Sequence, residues 1–161
     1  MSYDLGVRGA EYRRRHVALR VLLSMDVAHA YFSIRRASIV KGTTIKWLSK
    51  PQKHDYPAAQ SYLSLICPPR IAKQLVARLK HAPIAEFAAK DIFRATGLAL
   101  LRSSDIHVNR YRRLIALKQP ISPLLLFRDT GHGKAVIADG YHRLCAVYTF
   151  DEDAMIPCQI I

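Results

Sequence analysis

Apolar positions change their period several times along this chain, and each change marks an element. From Arg70 to His81 they recur at helical spacing: Ile71, Leu75, Val76 and Leu79 share a face, with Arg70, Lys73, Gln74 and Arg78 opposite. Pro68-Pro69 suits the first turn of that helix, and Lys80 and His81 suit its C-terminal dipole. Val108, Tyr111 and Ile115 predict a second helix from Ile106 to about Lys118, capped by Asp105 and stopped by Pro120 and Pro123. Leu124–Phe127 and Lys134–Ala138 are short apolar runs around the turn Asp129-Thr130-Gly131-His132-Gly133, which predicts a hairpin. Tyr141–Phe150 returns to helical spacing, with Leu144, Val147 and Tyr148 inward, and Ile156–Ile161 predicts a closing strand.

The remaining segments are less regular. Ser61–Cys67 reads as a strand or extended segment. Glu86–Ala95 reads as a strand running into a short helix that Gly97 ends. Ser49–Pro57 is polar with two prolines and reads as a linker. Before it, Tyr12–Leu23 and Val27–Ile39 predict helices, Gly42 a helix stop, and Thr43–Leu48 a short strand or arm in which Trp47 packs. The pattern predicts an α+β fold: a small mixed sheet flanked by helices. Residues 1–50 form a basic, helical N-terminal extension, and residues 51–161 form the domain, with its core at 85–161.

Composition adds constraints. Half of the 161 residues are apolar, enough for a core. The net charge of +13 favours polyanionic partners such as DNA, RNA or nucleotide phosphates, although Lys and Arg also simply solvate helix faces. Residues 1–50 carry ten Lys/Arg against three Asp/Glu, denser than the fifteen against nine over residues 51–161. Cys67, Cys145 and Cys158 are odd in number and form no CxxC, which argues against a disulfide framework or zinc site and for reduced thiols in a cytoplasm. No apolar run approaches a bilayer span. Arg13-Arg14-Arg15 before Val17–Leu23 imitates a secretion signal, but Arg20 and Asp26 interrupt it.

The chemistry concentrates at Asp139-Gly140-Tyr141-His142-Arg143, where an apolar strand becomes a helix. The first N–H groups of a helix lack partners, and the dipole there favours an anion. Gly140 allows a tight turn and close approach to the backbone. Arg143 can fork onto a phosphate, and His142 can donate to it or move a proton. Asp139 can hold Mg²⁺ or act as a base. The competing reading makes Asp139 a cap, Gly140 a turn, and Arg143 a partner of the acidic cluster Asp151-Glu152-Asp153.

The order strand, glycine turn, strand, Asp-Gly-Tyr-His-Arg, helix, Ile-Pro-Cys-Gln-Ile-Ile resembles the ParB/sulfiredoxin superfamily over about residues 85–161. The resemblance rests on Gly140, His142, Arg143, Ala146 and Ile156-Pro157. It implies a phosphate or nucleotide pocket at the helix start, with the N–H groups of Tyr141 and His142 and the Arg143 side chain on the phosphate. It also implies phosphoryl transfer or hydrolysis in some relatives, with Mg²⁺ accompanying the nucleotide. Sulfiredoxins place their cysteine directly before His-Arg, where this chain has Tyr141.

Two basic groups are further candidates for nucleic acid: Arg13, Arg14 and Arg15 with Arg20, and Arg110, Arg112 and Arg113 with Tyr111. The alternative functions are therefore a non-catalytic nucleic-acid-binding module, and a structural or partner-binding protein. Asp91 is a minor candidate for a second acid or metal ligand. His16, His29, His54, His81, His107 and His132 show no ligand spacing and read as surface or capping residues.

Overall fold

The computed structural model describes residues 44–161. The helices expected at Tyr12–Leu23 and Val27–Ile39, the stop at Gly42 and the arginines at 13–15 and 20 lie outside the described residues. Within them run α1 (Asp55–Ile66), α2 (Pro69–His81), β1 (Ile84–Ala88), α3 (Ala89–Thr96), α4 (Ile106–Ala116), β2 (Leu124–Asp129), β3 (Lys134–Asp139), α5 (Tyr141–Phe150) and β4 (Met155–Ile160). The fold is mixed α+β, with an open four-stranded sheet in the order β1-β4-β2-β3. β4 pairs antiparallel with β1 and parallel with β2, and β2 pairs antiparallel with β3.

The sheet is apolar on both faces, as a covered sheet must be. Leu124, Leu125 and Leu126 are all almost fully buried, yet their side chains alternate between two clusters. Leu124 and Leu126 join Ile137, Ile156 and Cys158 beneath Ile92 of α3, Val108 and Ile115 of α4 and Leu144 and Val147 of α5. Leu125 and Ala138 join Ala59 and Leu63 of α1 and Leu75, Val76 and Leu79 of α2.

Two expectations change here. The residues read as a strand at Ser61–Cys67 are the end of α1. Asp55, Ala59 and Leu63 are buried at four-residue spacing, while Leu65 is 83% exposed. The crowded apolar residues around Leu63 imitate a buried strand, and Pro68 then forces Cys67 out of the helix. The polar stretch Ser49–Pro57 is also no free linker, because it contains the buried Asp55 at the start of α1. A smaller shift affects α2, whose inner face takes Ala72 and leaves Ile71 exposed.

The other elements follow their patterns. Asp105 caps α4 by accepting from the His107 and Val108 N–H groups at 2.9 and 3.0 Å. Trp47 packs on the larger cluster and bridges Ile121 in parallel, with Leu48 N donating to Ile121 O and Ile121 N to Lys46 O. No helix among the described residues is long and apolar enough to cross a membrane.

Candidate functional site

The candidate site starts from an irregularity in the hairpin. Leu126 faces Ile137, but Leu125 faces Asp139, so β3 carries one extra residue at Ala138. Asp139 is thereby placed opposite Leu125, whose side chain lies in the α1–α2 cluster. Gly140 then turns the chain at φ 105° and starts α5.

Arg143, one turn into α5, is only 3% exposed. Its Nη1 lies 3.2 Å from Asp55 Oδ1, and its Nη2 bonds Asp139. Asp55 is held in turn by the Ser122 hydroxyl and by the Gln52 N–H at 2.9 Å. The guanidinium also lies 5.9 Å from the centre of the Tyr111 ring. Two carboxylates, one guanidinium and one hydroxyl thus form a buried frame joining α1, the entry to β2, the end of β3 and α5.

That frame redirects two of the expected roles. Arg143 does not present its fork at the helix start, because both ends of the fork are spent on Asp55 and Asp139. Asp139 does not stand free as a ligand or base, since its Oδ2 is bonded to the guanidinium. The expected pairing of Arg143 with the Asp151–Asp153 turn is likewise replaced by the pair with Asp55 and Asp139. Asp153 instead pairs with Lys90. Among the described residues no three His, Cys, Asp or Glu side chains gather as a metal site.

Burial pushes the Asp139 carboxyl above its ordinary value, and the nearby Asp55 charge adds to this; Arg143 opposes both but does not win. A carboxyl held higher in the fold than in the unfolded chain favours folding while it keeps its proton. That advantage is present below the ordinary value of 3.8 and is lost as pH rises through the raised value. Asp139→Asn removes the titration. As pH rises from about 4 through the raised value, the melting temperature of the natural protein therefore falls relative to that of Asp139→Asn. A gap that moves the other way would show that attraction to Arg143 outweighs burial.

Above the frame, the first turn of α5 remains open. Gly140 offers no side-chain acceptor, so the N–H groups of Tyr141, His142 and Arg143 have no side-chain cap. The His142 ring lies 4.9 Å from the His107 ring and 5.9 Å from Tyr141, centre to centre. His142 and His107 each stand in the first turn of a helix, so the N-termini of α4 and α5 meet at this point. The two ends differ: Asp105 closes α4, and α5 is uncapped. The Asp105 carboxyl is held below its ordinary value, chiefly by the Val108 N–H, with the two imidazoles contributing. Tyr141 spends its hydroxyl on the carbonyl of Ala99.

The structure therefore gathers Gly140, Tyr141 and His142 at one surface and keeps Asp139 and Arg143 beneath it. It also adds His107, which reads in sequence as a surface or capping residue, and Asp55 and Ser122 in the frame. Position in the first turn of a capped helix was the available signal for His107. The basic group on α4 divides: Arg110 and Arg113 are exposed, whereas Arg112 is half-buried with its guanidinium 5.8 Å from the Phe150 ring centre. Asp91 is exposed and pairs with Arg94 at 3.1 Å, away from the helix start. Cys145 is fully buried in the larger cluster, where burial raises its thiol above the ordinary value, so it does not replace the nucleophile missing at Tyr141. No protein-family model matches the chain, and no curated protein or solved structure does either.

Proposed function

We propose that this chain carries a ParB/sulfiredoxin-like domain that binds a nucleotide or another phosphorylated ligand at the start of α5. The observation that carries the reading is the uncapped N-terminus on Gly140 with two imidazoles beside it, 4.9 Å apart. Free N–H groups and the helix dipole favour a phosphate there. His142 and His107 each bring a ring N–H donor, and an imidazole such as that of His142 can move a proton. Asp139, Arg143 and Asp55 hold the turn in shape from below. A reaction, where there is one, is hydrolysis or phosphoryl transfer, in which positioning and charge stabilisation do most of the chemistry. Free thiols fit a cytoplasmic setting.

The test is a thermal-shift screen of the full chain with nucleotides and inorganic phosphate, with and without Mg²⁺. A nucleotide raises the melting temperature, and His142→Ala and His107→Ala each weaken binding about tenfold or more, as loss of a charge-assisted hydrogen bond does. Phosphate release then reads turnover. A flat screen overturns the proposal. Arg143→Ala is unsuited to this test because it removes the frame.

The +13 charge and the exposed Arg110 and Arg113 favour a second reading, a nucleic-acid-binding module. It requires DNA or RNA binding that falls steeply with salt and survives His142→Ala.

A further inference from the structure

α1 and α2 form a helical hairpin whose turn is an apolar tip. The Lys80 ammonium, near the end of α2, lies 5.6 Å from the centre of the Tyr56 ring at the start of α1. The two helices therefore run antiparallel, and the link Cys67-Pro68 stands at the opposite end. That end lies about 16 Å along α1 from Asp55, and so from the frame around Arg143.

From Leu65 to Ile71 the residues are Leu, Ile, Cys, Pro, Pro, Arg and Ile. Leu65 is 83% exposed, Ile66 53% and Ile71 43%. A single exposed leucine needs no account, but three large aliphatic side chains around one helix–helix turn mark a contact surface. Pro68 and Pro69 fix the backbone between them, so little chain freedom is lost on contact.

The charge around the tip has one sign. Residues 56–85 contain no Asp or Glu. Arg70 and Lys73, in the first two turns of α2, are exposed, as are Arg78 and Lys80 further along. None of the four makes an ion pair among the described residues. Nucleic acid would meet these cations but give the aliphatic side chains nothing to bury in. A second copy, related by a two-fold axis through the tip, would bring like charges together. An anionic bilayer surface takes both groups, the acyl chains meeting the aliphatic side chains and the headgroups meeting the cations.

We infer that the α1–α2 tip docks on an anionic membrane surface, with Leu65, Ile66 and Ile71 among the outer acyl groups and Arg70 and Lys73 at the headgroups. The contact is with the surface and is not a span. It is independent of the phosphate reading of the α5 terminus.

Sedimentation of the full chain with phosphatidylcholine vesicles, with and without about one-third phosphatidylserine, tests it. The chain binds the anionic vesicles and binds pure phosphatidylcholine about tenfold or more weakly. A net charge of +13 alone attracts such vesicles, so the decisive variant is Leu65→Gln/Ile66→Gln. It weakens binding about tenfold or more, with the charge unchanged. Arg70→Gln/Lys73→Gln also weakens it about tenfold or more. All four positions are exposed, so the fold is kept, and circular dichroism verifies this. Leu65→Trp retains binding, and brominated acyl chains quench its emission. The natural protein, whose Trp47 packs on the larger cluster, shows no such quenching. Failure to bind the anionic vesicles overturns the inference in favour of a protein partner. Binding that Leu65→Gln/Ile66→Gln leaves intact overturns it too, because the attraction is then one of net charge. So does a dimer in sedimentation equilibrium that the same variant dissociates, because the tip is then an interface between copies.

Discussion

Replacing Arg143 with alanine destabilises the domain by about 3–5 kcal/mol, a large part of the roughly 5–15 kcal/mol that holds a domain of this kind together. The loss does not measure the strength of an ion pair. It comes from the two carboxylates left behind. Asp55 is 2% exposed and Asp139 is half-buried, and without the guanidinium they face each other with only the exposed His54 ring, 3.4 Å from Asp55, beside them. Arg143→Lys recovers only part of the loss, because a point charge cannot bridge two acceptors as the planar fork does. Replacing all three members together, Arg143→Met with Asp55→Asn and Asp139→Asn, recovers more than lysine does, because no buried charge remains. Equilibrium unfolding in urea reads the series. A loss below about 1 kcal/mol for Arg143→Ala would mean that water reaches the frame and that it does not act as a unit.

Gly140→Ala costs about 2–5 kcal/mol, from two sources. At φ 105° an L side chain is strained whatever surrounds it. A Cβ there would also stand 2.3 Å from Leu124 Cδ2 and 3.0 Å from two nitrogens of Arg143. Leu124 is fully buried and Arg143 is pinned by two carboxylates, so neither can retreat. Gly97 provides the control. It also has positive φ, at 65°, but a Cβ there meets nothing within 4 Å. Gly97→Ala therefore costs only about 1 kcal/mol. Thermal unfolding of the two variants separates backbone strain from overpacking. Equal losses would show that the closeness of Gly140 to Leu124 and Arg143 has no energetic weight.

Local order was well marked in the sequence. Asp105 reads as a cap because a short acceptor directly precedes the periodic run. The hairpin and the start of α5 at Tyr141 read from two apolar runs, a glycine-rich turn and Asp-Gly. Glu86–Ala95 reads as strand into helix, and β1 and α3 divide it at Ala88. Each of these signals lies within a few residues of what it marks. The frame around Arg143 does not. Asp55 is 88 residues away, beside Lys53 and His54, in a stretch whose composition resembles solvated loop. Only the spacing Asp55–Ala59–Leu63 indicates a buried stripe, and the apolar residues at 62, 65 and 66 obscure it. The hydroxyl at Ser122 and the ring at His107 carry no periodic signature. Sequence therefore located the helix start but assigned Arg143 to the ligand, because its true partners are set by tertiary packing.

The place of β4 in the sheet has a consequence for how the protein comes into being. β4 is the last of the four strands to be synthesised, yet it lies between β1 and β2 and is the only strand that joins them. Until residues 155–160 leave the ribosome, β1 has no partner, and the β2–β3 hairpin has one unpaired inner edge. The emerging chain can form helices and one hairpin, but it cannot close its sheet. The sheet of this domain therefore closes only once its last strand is available, with pairings of long sequence separation such as Ala85 to Cys158 formed last.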